Sequence, residues 1–180
     1  MAKNRYAKDY RLTEHFEAGG KIRTTYEYIG EDWRFREEPA VVEKEKKKAL
    51  LRAAAGWLGF VTAMVPQSGA MHFLLIALPF AFCALPLAAF TDSAFAFRRM
   101  KEPLEHRHAD RLNNRYPPVC LLWILFSGSA GIGQAVRMAS GGEILAGDIV
   151  FSLCTVFLFL LGIRSFSAGK KIGAEKTSVT

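Results

Sequence analysis

Apolar and polar positions follow two different rhythms along this chain. Between residues 10 and 35 they alternate in short runs, and from residue 49 onward they separate into four long apolar blocks divided by charged stretches. Alternation is the pattern of strands, whose successive side chains point to opposite faces. Tyr10, Leu12, Glu14 and Phe16 share one face of a first run, the segment from Ile22 to Ile29 is rich in β-branched and aromatic residues, and Trp33-Arg34-Phe35 makes a third. Glu17-Ala18-Gly19-Gly20 and Gly30-Glu31-Asp32 between them have the composition of hairpin turns. Residues 1–38 therefore read as a small antiparallel β-meander of two or three strands, with Tyr26, Tyr28, Trp33 and Phe35 gathered at the second hairpin. Strands this few and short bury too little to stand alone. The sheet is expected to lean on a membrane surface, on the long internal loop or on a protein partner, and the four aromatics are its candidate docking residues.

The apolar blocks, 49–65, 70–90, 119–138 and 144–163, each approach the ~20 residues that an α-helix needs to cross a bilayer. A charged juxtamembrane helix over 39–48 leads into the first: Pro39 suits a first turn, Glu43 and Lys47 have the favourable i, i+4 order, and no proline interrupts residues 41–65. The fold class is thus an all-α integral membrane bundle of four transmembrane helices with a small cytoplasmic N-terminal antiparallel β-meander. Small residues recur at every fourth position as Ala55, Gly59 and Ala63 in the first span and as Ser127, Gly131 and Ala135 in the third. Such stripes let helices approach closely in lipid, and these two are expected to face each other. Pro79 and Pro86 should kink the second span. Pro66-Gln67-Ser68-Gly69 and Ser140-Gly141-Gly142 read as turns on the outside. The cytoplasmic loop 91–118 is expected to hold a short helix from Leu104 to Asn113, stopped by Asn113-Asn114 and Pro117-Pro118, and residues 164–180 to form a disordered cytoplasmic tail.

Composition agrees with that picture: 51% of the 180 residues are hydrophobic and 14 are Phe, too apolar for an ordinary soluble domain. The formal charge of +7 would suggest nucleic acid if it were spread over a surface, but it is not. Segments 1–48, 91–118 and 164–180 hold 22 of the 24 Lys and Arg residues, leaving Arg52 in the first span and Arg137 near the outside. Basic loops on one side of the membrane obey the positive-inside rule. The basicity is a topology signal, no nucleic-acid partner is expected, and the protein is placed in the plasma (inner) membrane with both termini cytoplasmic. The first apolar block follows 48 hydrophilic residues, so the first span is expected to serve as its own insertion signal.

Candidate chemistry is sparse. Cys83, Cys120 and Cys154 are three and show no paired spacing, so neither a disulfide framework nor a zinc motif is indicated. His106 and Asp110 lie one helical turn apart, but two ligands fall short of a zinc site. Gly128-Ser129-Ala130-Gly131 has no histidine at its depth to act as base. No catalytic residue, cofactor or metal site is expected. Asp148, close to the start of the fourth span, and Arg137, at the end of the third, form a candidate intramembrane polar pair. The expected function is a non-enzymatic accessory or regulatory subunit that docks a partner through the β-meander, its partners being the bilayer and either another protein or further copies of itself. The alternatives are a small oligomeric transporter or channel built on the second and third spans, and a membrane enzyme at the cytoplasmic face.

Overall fold

A computed structural model describes residues 6–16, 22–65, 68–141 and 143–177. The expected turn at 17–20, the residues Pro66, Gln67 and Gly142 of the two later expected turns, and 178–180 lie outside the described residues. The chain is mostly helical with a small N-terminal two-stranded antiparallel sheet. Its elements are β1 (Tyr10–Phe16), β2 (Ile22–Tyr28), β3 (Trp33–Phe35), α1 (Pro39–Met64), α2 (Leu74–Phe82), α3 (Ala84–Arg99), α4 (His106–Asp110), α5 (Tyr116–Ala139), α6 (Ala146–Ile172) and β4 (Ala174–Lys176).

Pro39 opens α1 at its first turn, where a missing N–H costs nothing, and good helix formers carry it to Met64. Of its eight buried residues, Val42, Lys46, Ala49, Ala53, Gly56, Phe60 and Ala63 alternate in steps of four and three, the period of a helix seam that follows its neighbours along its length, and Gly59 widens the seam beside Phe60. α2 and α3 meet at Cys83 and run on as one rod, Leu74–Arg99, that contains Pro79 and Pro86. Three rods, Leu74–Arg99, His106–Ala139 and Ala146–Ile172, are long and apolar enough to cross a membrane. α1 carries Lys44, Lys46, Lys47, Lys48 and Arg52 and is not one of the three.

The rods form a four-membered ring in which α6 packs between α1 and α5, and the α2–α3 rod closes the other side against the same two helices. α1 and α5 are therefore diagonal, and the two small-residue stripes do not face each other as expected. Gly59 lies against Phe157 and Leu158 of α6, Gly131 against Thr155 of the same helix, and Ala55 is only half-buried. Aromatic rings fill the middle: Phe60 stacks on Phe80 at 4.7 Å, Phe80 meets Phe151 at 4.9 Å, and Phe90 touches both Trp123 and Tyr116.

A second apolar cluster sits at the end of the bundle where the strands are, and three expectations change there. β3 does not extend a meander from β2. It pairs with β4, Phe35 opposite Ala174, and bridges to Leu104, so the N-terminal sheet is a two-stranded hairpin. The tail is not disordered up to Lys176: α6 continues to Ile172, and Ile172 and Ala174 are buried beside Phe35, Leu104 and Leu112. The serines and glycines that suggested disorder have local reasons. Ser165 bonds back to the Leu161 carbonyl, and a Cβ on Gly169 would stand 2.4 Å from the Tyr116 ring. Nor does the loop helix stop at Asn113. A π-helical turn, Arg111–Arg115, joins α4 to α5, which puts Pro117 and Pro118 into the first turn of α5, where proline is tolerated. Lys46 ties this layer to the bundle by donating to the Met100 carbonyl at 2.7 Å and to Glu43 at 2.6 Å, with its ammonium over the Phe35 ring.

Close helix contact at Gly162 gives a direct check. A Cβ there would stand 2.9 Å from Ile124 Cγ1 and 3.6 Å from the Ile124 backbone nitrogen. Gly162→Leu is expected to cost about 1–3 kcal/mol by overpacking and to lower the unfolding temperature of the purified protein, while Ala54→Leu on the outward face of α1 leaves it unchanged.

Candidate functional site

Two groups of polar side chains stand out, one at each end of the bundle. The first is built around Asp148, in the first turn of α6, which has no exposed surface. Its Oδ2 accepts from the Leu145 N–H at 2.9 Å, one of the N–H groups that a helix start leaves unpaired. Its Oδ1 accepts from Ser68 Oγ at 2.7 Å and Gln134 Nε2 at 3.2 Å, and lies 2.6 Å from the Arg137 guanidinium. Arg137 Nε in turn donates to Gln134 Oε1 at 3.0 Å, and its guanidinium rests over the Phe73 ring. Ser68 also accepts from the Ala70 N–H. One carboxylate thus joins the α1–α2 connection, the end of α5 and the start of α6. A buried charge is tolerated only when it is paired and its remaining lone pairs are filled, and here both conditions are met.

Clefts flank this cluster. One, of about 470 Å³, is lined by Phe73, Ile76, Gly133 and Arg137 among others. The other, of about 460 Å³, is lined by Ser68, Gly69, His72 and Leu145 among others. Asp148 lines neither.

The second group seats the hairpin. Tyr10 and Tyr28 face each other across β1 and β2, with their rings edge to face at 5.4 Å. Tyr10 donates to Glu105 at 2.5 Å, Tyr28 donates to the Glu31 carbonyl and accepts from the His106 N–H at 2.8 Å, and Tyr6 donates to Asp110 at 2.5 Å. His106 is the hub: its Nδ1 lies 3.0 Å from Asp9, Trp33 stacks flat on its ring at 5.7 Å, and Tyr6 meets the ring edge-on. Burial and the neighbouring Glu105 carboxylate both disfavour a phenolate at Tyr10, whose pKa is raised to about 12.

Beyond this seat the hairpin projects. Leu12 and Tyr26 are cross-strand partners on the same face as Tyr10 and Tyr28, and they are 52% and 76% exposed. The opposite face carries Arg11, Thr13, Thr25 and Glu27. Among the described residues no third strand pairs with either edge of the hairpin.

The four aromatics expected to form one docking cluster are therefore divided. Phe35 is buried against Phe97, Trp33 is taken by His106, Tyr28 by the seat, and Tyr26 alone is freely exposed. Of the helix-packing candidates, Gly59, Ala63 and Ser127 are buried, Ala55 and Gly131 half-buried, and Ala135 exposed. His106 and Asp110 are engaged by Asp9 and by Tyr6 with Asn114, and among the described residues no group of three His, Cys, Asp or Glu side chains could hold a metal ion. Sequence reasoning paired Arg137 with Asp148 but missed Ser68 and Gln134. An amide inside an otherwise apolar window was the available signal for Gln134; Ser68, in a turn, offered none.

Two outcomes test these groups. Asp148→Ala leaves Arg137 buried without its partner and is expected to cost about 3–5 kcal/mol, whereas Arg137→Met combined with Asp148→Leu recovers most of the loss in thermal unfolding. For the seat, Tyr10 is protonated in the folded chain at pH values where a free phenol near 10 already ionises, so its contribution is complete below pH 10 and is lost as the pH rises through 12. Phenolate absorbance in an alkaline titration should lose one of its late-titrating tyrosines in Tyr10→Phe, and that tyrosine should titrate earlier in Glu105→Gln. No protein-family model, curated protein or solved structure matches this chain.

Proposed function

We propose that this protein is a non-enzymatic multi-pass membrane protein, an accessory or regulatory subunit that docks a protein partner through its cytoplasmic hairpin. The observation that carries the proposal is the exposed Leu12–Tyr26 pair on a two-stranded arm whose base is bonded to α4. An isolated hairpin is marginal in water, and an exposed apolar pair beside open strand edges is the form of a surface that another chain completes. The base holds the arm in a set direction, so a partner that binds it is held in that direction too.

Four rods in the bilayer fit the surface. Each rod has an apolar outward stretch: Leu74, Leu75, Leu78 and Leu85 on the α2–α3 rod, Leu122, Leu125 and Ile132 on α5, Leu153, Val156 and Leu160 on α6. α1 presents the same kind of face with Leu51, Leu58, Val61 and Val65, and we count it as the first span although it carries Arg52. That guanidinium lies toward the charged end of α1 and is neutralised by Glu45 at 2.8 Å. With 22 basic residues in the segments at the hairpin end, that end faces the cytoplasm and both termini lie there. A solute path through Asp148 has less support, because both of its oxygens already have partners within the chain.

Two experiments test the proposal. Membrane-impermeant maleimide applied to intact cells should label a cysteine placed at Gly141 and spare one placed at Glu27 or at Thr177; labelling at Thr177 from outside would refute the topology. Leu12→Asp with Tyr26→Asp should leave thermal stability within about 0.5 kcal/mol of wild type, as expected for exposed positions, and abolish co-purification of the partner in mild detergent. Co-purification that survives both changes would refute docking through the arm.

A further inference from the structure

Strand β2 has one open side. Ile29 donates its N–H to the Asp9 carbonyl at 2.9 Å, and these two residues continue the register in which Tyr10 stands opposite Tyr28. Bonded and non-bonded pairs alternate along an antiparallel ladder. Arg23, Thr25 and Glu27 therefore turn their backbone groups toward β1, and Ile22, Thr24, Tyr26 and Tyr28 turn theirs away from it. Among the described residues no strand meets those outward groups, and Thr24, Thr25, Tyr26 and Glu27 are all exposed. The sequence of β2 also complements its own reverse. Laid antiparallel to a second β2 about a two-fold axis through Thr25, it sets Thr25 against Thr25, Thr24 against Tyr26, Arg23 against Glu27 and Ile22 against Tyr28. Opposite charges meet on both sides of the axis, an apolar residue meets an aromatic one at each end, and like charges meet nowhere. The backbone agrees with this register. Thr24 with Tyr26 and Ile22 with Tyr28 are the pairs whose N–H and carbonyl groups point outward, so these groups bond to one another across the axis. Arg23 with Glu27 falls at a non-bonded pair, where side chains stand closest. β1 fails the same comparison: about its centre, Thr13, it would set Leu12 against Glu14 and Arg11 against His15.

We propose that the partner of the arm is a second copy of this chain, joined through the β2 edges into a four-stranded antiparallel sheet of order β1-β2-β2-β1. The inference rests on the docking reading above and names its occupant. Charge complementarity selects it. On the polar face each Glu27 is flanked in register by Arg11 of its own hairpin and by Arg23 of the second copy. On the other face Tyr26, which is 76% exposed, stands diagonally across the axis from Tyr26 of the second copy, a separation that aromatic rings span. Four strands also make a sheet of the size that a lone hairpin lacks. Two-fold pairing uses the same edge on both copies, so the assembly closes at a dimer. The tip of each arm lies beside the base of the other, which leaves the two bundles at opposite ends of the sheet.

The test uses full-length protein in isolated membranes, oxidised mildly with copper phenanthroline. Thr25→Cys should give a disulfide-linked dimer, because Thr25 meets its counterpart at the axis in a geometry that a disulfide bridges. Thr13→Cys, its neighbour on β1, should give none, and neither should wild type with its three bundle cysteines. Charge reversal then tests the register. In the Thr25→Cys background, Glu27→Arg alone and Arg23→Glu alone each set like charges together on both sides of the axis and should lower the yield of dimer about tenfold. Co-expressed, these two variants restore opposite charges in both pairs and should recover most of the yield. A hairpin merely damaged by either change would not be rescued by mixing. Cross-linking at Thr13 in place of Thr25, or reversals that have no effect, would overturn pairing through β2. Absence of the Thr25 cross-link, with a different protein retained in a manner that Leu12→Asp with Tyr26→Asp abolishes, would overturn self-pairing and leave docking through the arm standing. Absence of both would overturn both.

Discussion

A carboxylate with no exposed surface sets the terms for one end of this molecule. Asp148 is enclosed by α5, α6 and the connection ahead of α2, and its two oxygens are shared among a serine, an amide, a guanidinium and a backbone N–H. Packing alone makes weak demands on which helix stands next to which, because apolar faces are interchangeable and lipid solvates them as well as protein does. A charge is not interchangeable. Its partners must arrive from three separate segments or the site fails, so the cluster specifies which connection meets which pair of helix ends. The aromatic stack below it, Phe60, Phe80 and Phe151, belongs to α1, α2 and α6 and fills the space that the cluster closes off.

At the other end the organising group is an imidazole rather than a carboxylate. His106 is touched from every side by N-terminal residues: Asp9, Tyr6, Tyr28 and Trp33. It stands at the first position of α4, which passes through a π-helical turn into α5. The arm is thus seated on a continuation of one of the long rods. A load applied at Leu12 and Tyr26 is carried to α5 through a turn whose hydrogen-bond pattern is already irregular, a common place for a helix to bend. β3 is held separately, by β4 at the end of α6 and by Leu104.

Most of the helical architecture was legible in the sequence, because apolar blocks of this length admit few alternatives. What was not legible depended on contacts between segments far apart in the chain. β3 has three residues and no pattern of its own that distinguishes β2 from β4 as its neighbour. Gly169 and Ser165 resemble a flexible tail until the Tyr116 ring and the Leu161 carbonyl are placed beside them. Pro117 and Pro118 read equally well as the end of one helix or the beginning of the next, and α4 decided for the beginning. The small-residue stripes were visible, but a stripe gives spacing without azimuth, and α6 stands where each was expected to meet the other. Arg137 and Asp148 could be paired by their scarcity in apolar sequence, while Ser68, outside any periodic segment, could not be connected to them.

The seat of the arm also imposes an order of events on biosynthesis. Asp9 and Tyr10 emerge from the ribosome early, but their partners His106 and Glu105 lie 97 and 95 residues later, and Arg34 waits 141 residues for Glu175. At translation rates of about 5–20 residues per second, the hairpin spends roughly five to twenty seconds without its platform, and β3 longer still. During that interval the strand edges and the Leu12–Tyr26 pair are open to whatever is nearby. β4 follows α6 directly and gives β3 its partner, so the end of that rod and the pairing of β3 are made together.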